Sequence, residues 1–351
     1  MLRSIIIVGG GPRGLAVAIE ALPYIDQIYI VDSKPGATWS ATSTVADFEL
    51  RSPVSFDLVT YSANNRHYSL SNYLYTEDMF TTDQLAIETD PRRIKRSQMF
   101  GYLCWVKQKL QQEGVQFLYD DVLDIRDGQV HLKQGAIITA DNIVLAQGTK
   151  ERDTPSYLLP YKPVSNLDIL NKDYGRLLIV GSGQGAFDIA HYLHSKGVDI
   201  GIYITKLPKI HQYPAPSYNI WGPRTALGVY CNCLSSVEAK RRYIASVKAW
   251  GPSITPNNEY LLSSVPIYRD VPIEEVMIKY DYRYVNRTGV VPINTLSIRP
   301  DEVDRDGRVL NSQIYVTGPL AILSDGPRVN SIISSSTAAQ TIVRSIINAS
   351  I

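Results

Sequence analysis

The sequence has little excess charge, few cysteines and no long apolar run. Lysine and arginine total 35 against 34 aspartates and glutamates, so no strong field is available to attract nucleic acid or an anionic membrane. The three cysteines, Cys104, Cys231 and Cys233, cannot all pair. Their number excludes a disulfide framework and favours a reducing, cytoplasmic compartment.

The sequence predicts neither a membrane-targeting segment nor a metal site. The N-terminal apolar run is broken by glycines after Val8, so it indicates neither a signal peptide nor a membrane-spanning helix. The five histidines are scattered without metal-ligand spacing, and no metal site is expected.

What the chain does contain is a glycine motif between two apolar strands at its start. The unbroken apolar run 5–8 is typical of a strand buried on both faces of a parallel sheet. Three glycines follow it directly, then an apolar helix over 15–22 and a second strand over 27–31. The motif residues are Gly9, Gly11 and Gly14, and the second strand ends in Asp32.

Each of these residues has a role in holding a dinucleotide. Gly9 permits a tight turn, Gly11 leaves room for a pyrophosphate, and Gly14 lets the helix pack closely on the strand. The phosphates would lie at the helix N-terminus, where free N–H groups face them. Asp32, about twenty residues after the motif, would accept hydrogen bonds from ribose hydroxyls. The order of strand, glycines, helix, strand and acid predicts a dinucleotide-binding fold.

The same pattern returns after a proline-rich stretch at 151–170, which indicates a boundary. A strand over 177–180 is followed by Gly181, Gly183 and Ala186, a helix, and a strand over 200–205. Thr205 and Lys206 stand where the first unit has Asp32. A carboxylate would repel a 2′-phosphate that a hydroxyl and an ammonium accept, so NADPH is expected here rather than NADH. The alternative is that Lys206 is a solvated surface lysine.

The other segments predict supporting structure. Residues 50–74 favour an irregular region, and Asp127-Gly128 is typical of a hairpin turn. Met99, Leu103, Val106 and Leu110 form one stripe of a helix over 97–110, with Ser97 as N-cap. The remaining predicted elements are a strand at 142–145, a helix at 236–250, a strand at 312–318 and a helix at 330–346.

A resemblance to a known superfamily then becomes specific. Residues 4–32, the GATW run at 36–39 and the Ala146-Gln147-Gly148-Thr149 turn resemble the FAD-binding half of two-dinucleotide-fold flavoproteins. Gln147 departs from the usual threonine of that turn. Trp39 would line the cofactor or, alternatively, pack at an interface. The resemblance implies that Gly148 closes on the flavin side and that the turn at Gly318 reaches the flavin ring.

The same resemblance implies the domain organisation. The expected fold class is α/β with two Rossmann-like dinucleotide-binding domains, the NADPH domain inserted in a discontinuous FAD domain. The FAD-binding domain would span 1–162 and 284–351, and the NADPH-binding domain 163–283.

Shorter segments are similar to the flavin-containing monooxygenases and the ornithine and lysine N-hydroxylases. They are SFDLVT, YSLSNYL, the helix that starts at Arg96 and GSGQ. The resemblance implies that Gln184 binds cofactor and that Asp57, Asn72 and Tyr73 face substrate. The chain departs from these enzymes in its short length and in lacking an FxGxxxH fingerprint before the second glycine motif.

Two cofactors in adjacent domains imply an oxidoreductase in which NADPH reduces FAD. The main expectation is a monooxygenase that hydroxylates a nitrogen, or another soft nucleophile, of a small molecule through a C4a-hydroperoxyflavin, with O₂ as co-substrate. No catalytic side chain is assigned, and homo-oligomerisation is left open. One alternative is an NADPH-dependent reductase of a quinone, a thiol system or a protein carrier, although the C-x-C spacing of Cys231 and Cys233 does not fit a dithiol mechanism. A redox-sensing protein is the other.

Overall fold

The computed structural model describes most of the chain. The described residues are 3–36, 48–53, 57–59, 65–77, 93–126, 128–151, 153, 158, 160–161, 164, 175–210, 234, 236–246, 253–287, 290–325 and 332–349. Trp39, Cys231 and Cys233 lie outside them. Among the described helices, none is both long and apolar enough to cross a membrane.

A five-stranded parallel sheet forms the centre of the first α/β unit. Its order is β18-β9-β1-β2-β5. The strands are β1 (Ser4–Val8), β2 (Gln27–Val31), β5 (Gln116–Leu118), β9 (Asn142–Leu145) and β18 (Ile314–Val316). Because β1 is buried on both faces, its residues are apolar without alternation. The predicted strands at 5–8, 27–31 and 142–145 are confirmed.

Different layers cover the two faces of this sheet. One face packs on α1 (Pro12–Ala21), α3 (Arg96–Gln112) and α9 (Ile333–Asn348). The other packs on an antiparallel meander of β6 (Val122–Arg126), β7 (Gln129–Leu132) and β8 (Ile137–Thr139). β6 and β7 pair antiparallel across the turn that contains Gly128, so the predicted hairpin is confirmed.

The second α/β unit has a four-stranded parallel sheet of order β15-β12-β11-β16. Its strands are β11 (Leu177–Val180), β12 (Ile200–Tyr203), β15 (Ile267–Tyr268) and β16 (Arg283–Asn286). The helices α4 (Gln184–Ser195) and α6 (Leu261–Ser264) pack on one face, and α7 (Ile273–Tyr280) packs on the other. The second predicted dinucleotide fold therefore forms from the predicted segments.

Small elements complete the described structure. Three two-stranded pairings are β3 (Glu49–Pro53) with β4 (Arg93–Lys95), β10 (Thr149–Glu151) with β17 (Val290–Pro292), and β13 (Lys209–Ile210) with β14 (Ser253–Ile254). The remaining α-helices are α2 (Leu70–Thr76), α5 (Val237–Ser246) and α8 (Ile322–Asp325).

β18 joins the first sheet beside β9, after the chain has built the second sheet. The chain therefore returns to the first unit. The domain limits at 162 and 284 stay a prediction.

Two predictions about local structure are wrong. Residues 66–76 are helical rather than irregular, with a 3₁₀ turn at Arg66–Tyr68 leading into α2, which the Ser69 hydroxyl caps by accepting from the Asn72 N–H at 3.1 Å. Ser97 is not the N-cap of α3. β4 runs straight into this helix, so Lys95 occupies the N-cap position, and its N–H donates to Oε1 of Gln98 at 2.8 Å. The predicted apolar stripe of α3 is buried, as expected.

Candidate functional site

The first glycine loop is shaped by close backbone contacts. Gly9 has φ +108°, and a Cβ there would lie 2.4 Å from the carbonyl oxygen of Ala146. A Cβ on Gly14 would lie 1.8 Å from the carbonyl oxygen of Gly9. Glycine is therefore required at both positions for the turn itself and for the approach of α1 to it. Gly11 is the N-cap of α1 and has extended backbone angles.

Asp32 follows β2 and organises this loop. Its Oδ2 accepts the N–H of Gly10 at 2.6 Å, and its Oδ1 accepts the N–H of Lys34 at 2.7 Å. An ionised carboxylate has about four acceptor sites, so these two bonds leave capacity for ribose hydroxyls. The sequence predicted the ribose role but missed the anchoring of Gly10.

The carboxyl ends of β1, β9 and β18 lie side by side at one edge of the first sheet. Gly148 follows β9 with φ +71°, and Gly318 follows β18 with φ +79°. The Gln147 amide donates to the Thr295 hydroxyl. The predicted residues Gly9, Gly148 and Gly318 are thus gathered at the sheet edge where open α/β folds bind ligands.

Arg13 of α1 ties that edge to α9. Its guanidinium donates to the Thr317 hydroxyl at 2.9 Å and to the Ser334 hydroxyl at 2.5 Å. Sequence reasoning missed Arg13, although its place inside the glycine motif was a usable indication. It fixes the turn before Gly318 against the first glycine loop.

The second glycine loop differs in one informative way. Gly181 has φ +156°, and a Cβ there would lie 2.4 Å from the carbonyl oxygen of Arg287. Gly183, the N-cap of α4, has φ −94° and ψ 173°, which any residue adopts. A Cβ on Gly183 would meet no atom of the described residues within 4 Å. Within the described part of the chain, neither conformation nor packing explains this glycine, and the space in front of the helix N-terminus fits a pyrophosphate.

Thr205 and Lys206 lie just past the end of β12, exposed, beside this loop. The Thr205 N–H is 3.3 Å from the hydroxyl of Ser182, which stands between the two loop glycines. Ala186 is buried against the second sheet, as its place in the motif predicts. The structure therefore brings Gly181, Gly183, Thr205 and Lys206 to one edge.

Gln184 is engaged in a different way from the prediction that it binds cofactor. Its amide donates to Oδ1 of Asp188 at 2.6 Å and to the Thr255 hydroxyl at 3.1 Å, and it accepts the Thr255 N–H at 2.7 Å. Asp188 is 1% exposed and forms an ion pair with Arg96, the first residue of α3. Burial raises the pKa of the Asp188 carboxyl, and the Arg96 guanidinium opposes that shift.

Asp57, the first of the three predicted substrate residues, is enclosed by protein. Asp57 is 3% exposed, and its carboxylate accepts the Leu58 N–H at 2.6 Å, the Tyr102 hydroxyl at 2.6 Å and the Leu70 N–H at 2.7 Å. The desolvation of this enclosed group raises the pKa of Asp57 to about 6. These contacts favour a role in holding the start of α2 over contact with substrate.

Asn72 and Tyr73 both lie on α2. The Asn72 amide donates to the carbonyl of His67 at 3.0 Å. Tyr73 is buried, and its hydroxyl lies 2.2 Å from where a Cβ of Gly101 would be, so Gly101 makes room for the tyrosine on α3. Their roles toward substrate stay a prediction.

The sequence matches the model of a known protein family. The family model described as L-lysine 6-monooxygenase/L-ornithine 5-monooxygenase matches residues 2–210, more than half of the 351 residues. No curated protein matches the sequence.

Solved structures match over the whole chain. The ornithine N-hydroxylase of Kutzneria sp. 744 has a TM-score of 0.76 and 17% identity over 100% of both chains. The L-lysine 6-monooxygenase of Pseudomonas syringae has a TM-score of 0.71 and 19% identity over 99% of both chains. The cadaverine monooxygenase of Erwinia amylovora has a TM-score of 0.71 and 18% identity over 99% of this chain and 94% of that one. At these identities the likeness shows the fold.

The expectation of a flavin-monooxygenase fold with two Rossmann-like units is confirmed, and so is the resemblance on which it rested. The family match covers the first glycine loop, α3 and the whole second glycine loop with α4 and β12. This chain therefore belongs to the L-lysine 6-monooxygenase/L-ornithine 5-monooxygenase family.

Proposed function

We propose that the chain is an FAD- and NADPH-dependent monooxygenase that hydroxylates the side-chain nitrogen of a small primary amine. The family match supports a monooxygenase over the reductase and sensor alternatives. The observation that carries the cofactor assignment is the pair of glycine loops at the edges of two parallel sheets, and in particular the unfilled space at Gly183. The solved relatives act on ornithine, lysine and cadaverine, all of which carry a primary amine at the end of an alkyl chain.

The residues of this chain fit both cofactors. Gly9, Gly11, Gly14 and Asp32 would hold FAD, with Gly148 and Gly318 at its flavin end. Gly181, Gly183, Thr205 and Lys206 would hold NADPH. When bound, FAD reduced by NADPH supplies the oxygen-activating chemistry. The protein supplies binding, orientation and the exclusion of water, and this division of labour requires no acid–base triad.

The amine substrate is tested by separating product from peroxide. The FAD-loaded protein is given NADPH and O₂ with ornithine, lysine, cadaverine or a small thioether, and both the hydroxylated product and hydrogen peroxide are measured. A true substrate should increase product at the expense of peroxide, because oxygen that reaches the amine is not released to water. If no compound is oxygenated and quinone or disulfide reduction without oxygen outpaces the oxygen reaction, the reductase alternative replaces this proposal.

Lys206 provides a test of cofactor choice. Lys206→Ala should weaken NADPH binding relative to NADH by roughly 10- to 150-fold, since a charge-assisted contact to a phosphate contributes about 1.5 to 3 kcal/mol. The ratio of kcat/KM for the two nucleotides measures it. Lys209→Ala is the matched control, because Lys209 is also exposed and lies three positions away on β13. Equal losses with NADPH and NADH would show that Lys206 is an ordinary surface lysine.

A further inference from the structure

A buried polar network joins the first α/β unit to the second. Its centre is the ion pair between Arg96 of α3 and Asp188 of α4, which are 92 positions apart in the chain. The carboxylate also accepts from the Gln184 amide at 2.6 Å and from the Asn258 amide at 2.8 Å. Asp188, Thr255 and Asn258 are all at most 3% exposed, whereas the Arg96 side chain is 12% exposed, so the carboxylate end of the network is the enclosed one.

Each of the two charges occupies a place that would be costly without the other. Arg96 is the first residue of α3, where the positive end of the helix dipole disfavours a cation. Asp188 is buried in the second turn of α4, where an unpaired carboxylate would be costly. Each charge is therefore compensated by the other unit. Local rules broken in this way are expected at positions that serve function.

Further contacts between the two units surround the ion pair. Phe48 accepts the Arg96 N–H on its carbonyl at 2.9 Å, and its ring lies 5.4 Å from the guanidinium carbon. The same ring meets His191 of α4 edge-on, with 6.2 Å between the ring centroids. At the rim, the Asn257 amide donates to Glu49 at 3.2 Å. The first unit thus contacts α4 through the Arg96–Asp188 ion pair and through the ring of Phe48, which packs beside it.

The network leads directly to the second glycine loop. Gln184, whose amide is fixed by Asp188 and Thr255, immediately follows Gly183. Any displacement of Asp188 relative to Arg96 would move the start of α4 and the loop in front of it. We propose that Arg96 and Asp188 are positioning residues that set how the NADPH-binding loop faces the FAD-binding unit, and so control the reduction of the flavin. This inference rests on the proposed function.

Variants can separate this positioning role from stability. In Asp188→Asn, NADP⁺ should bind within about threefold of the wild type, because the residues of the glycine loop and Lys206 are not substituted and the loop moves together with α4. The rate of flavin reduction by saturating NADPH without oxygen should fall by about 100-fold, since a misplacement of about 1 Å can have that effect. A double variant, Arg96→Met with Asp188→Leu, should regain stability because paired apolar residues can replace a buried ion pair. Its flavin reduction should remain slow. Recovery of the rate along with stability would overturn the proposal.

The control is an ion pair of the same chemistry inside one unit. Arg176 and Asp199 are both about half exposed, with 2.6 Å between Nε and Oδ2. Arg176→Ala should change neither flavin reduction nor stability measurably.

A measurement without cofactor keeps the outcome distinct from a failure of the proposed function. In the cofactor-free protein, Asp188→Asn should accelerate hydrogen exchange in the first turns of both α3 and α4, whereas Arg176→Ala should not. If NADPH does not reduce the flavin of the wild type, the proposed function fails and this exchange experiment still decides whether the pair holds the two units together. Unchanged exchange in Asp188→Asn would overturn the inference.

Discussion

Gly183→Val is expected to abolish tight NADPH binding while leaving the protein folded and yellow with FAD. The backbone of Gly183, at φ −94° and ψ 173°, suits a β-branched residue, and among the residues that the structure describes the added Cβ meets no atom within 4 Å. The side chain would instead occupy the space proposed for the pyrophosphate. The pyrophosphate would lose charge-assisted hydrogen bonds to N–H groups at the start of α4. At about 1.5 to 3 kcal/mol each, the loss of two such bonds corresponds to a weakening of at least about 100-fold.

Calorimetric titration with NADP⁺ and the flavin absorbance of the purified protein measure the two halves of this prediction. Gly11→Val is the reciprocal variant and should yield a colourless protein, because Gly11 is the N-cap of the helix proposed to face FAD. Gly14→Ala is the contrasting variant. Its Cβ would lie 1.8 Å from the carbonyl oxygen of Gly9, so it should fail to fold rather than lose one cofactor. If Gly183→Val bound NADP⁺ with wild-type affinity, the second glycine loop would not be the NADPH-binding loop.

These glycines also show what the sequence could and could not predict. Both loops follow from local pattern, since an apolar run, a glycine turn and a helix are neighbours in the chain and each constrains the next. The sequence could not distinguish Gly14, which the backbone requires, from Gly183, which the protein alone does not require. That difference depends on the distance from each missing Cβ to atoms elsewhere in the fold.

Contacts between distant segments could not be predicted from the sequence, for a different reason. Arg96 and Asp188 are separated by 92 positions, and Asp57 and Tyr102 by 45, so nothing in the local pattern pairs them. Gln184 was assigned to cofactor because its neighbours form a motif, whereas its amide is bonded to Asp188 and Thr255. A buried polar side chain is placed by its partners, and those partners are known only once the two units are assembled.

Asp57→Ala is expected to lower the free energy of unfolding by at least about 2 kcal/mol. The substitution leaves the N–H groups of Leu58 and Leu70 without the carboxylate that accepts from them, and each such loss costs about 1 to 3 kcal/mol. The Tyr102 hydroxyl loses its bond to Asp57 but keeps the Tyr68 carbonyl as an acceptor, at 2.8 Å. Urea unfolding measures the effect. Tyr102→Phe is the matched control. It should cost less, because it removes one donor and leaves the two shortest backbone bonds to the carboxylate in place.

The acidity of Asp57 gives this prediction a pH dependence of defined sign. Burial raises the pKa of Asp57 from 3.8 to about 6, so the folded protein takes up a proton at a higher pH than the unfolded chain does. The contribution of this group to stability is therefore fully present below pH 3.8 and is lost as the pH rises through 6. On going from pH 7 to pH 5, the protonation of Asp57 should raise the free energy of unfolding by about 1 kcal/mol.

Asp57→Asn separates the effect of protonation from the effect of shape, because the amide has nearly the same shape as the carboxyl group and does not titrate. One of its two terminal groups becomes a donor, which must face the Leu70 N–H on one side or the Leu58 N–H and Tyr102 hydroxyl on the other. The stability difference between wild type and Asp57→Asn should therefore be larger at pH 5 than at pH 7, by about 1 kcal/mol. A difference that does not change between these pH values would mean that the carboxyl titrates normally. A normal pKa would mean that the hydrogen bonds from Leu58, Leu70 and Tyr102 offset the burial of the carboxylate or that water reaches it. In the second case, its role as a substrate contact would be reopened.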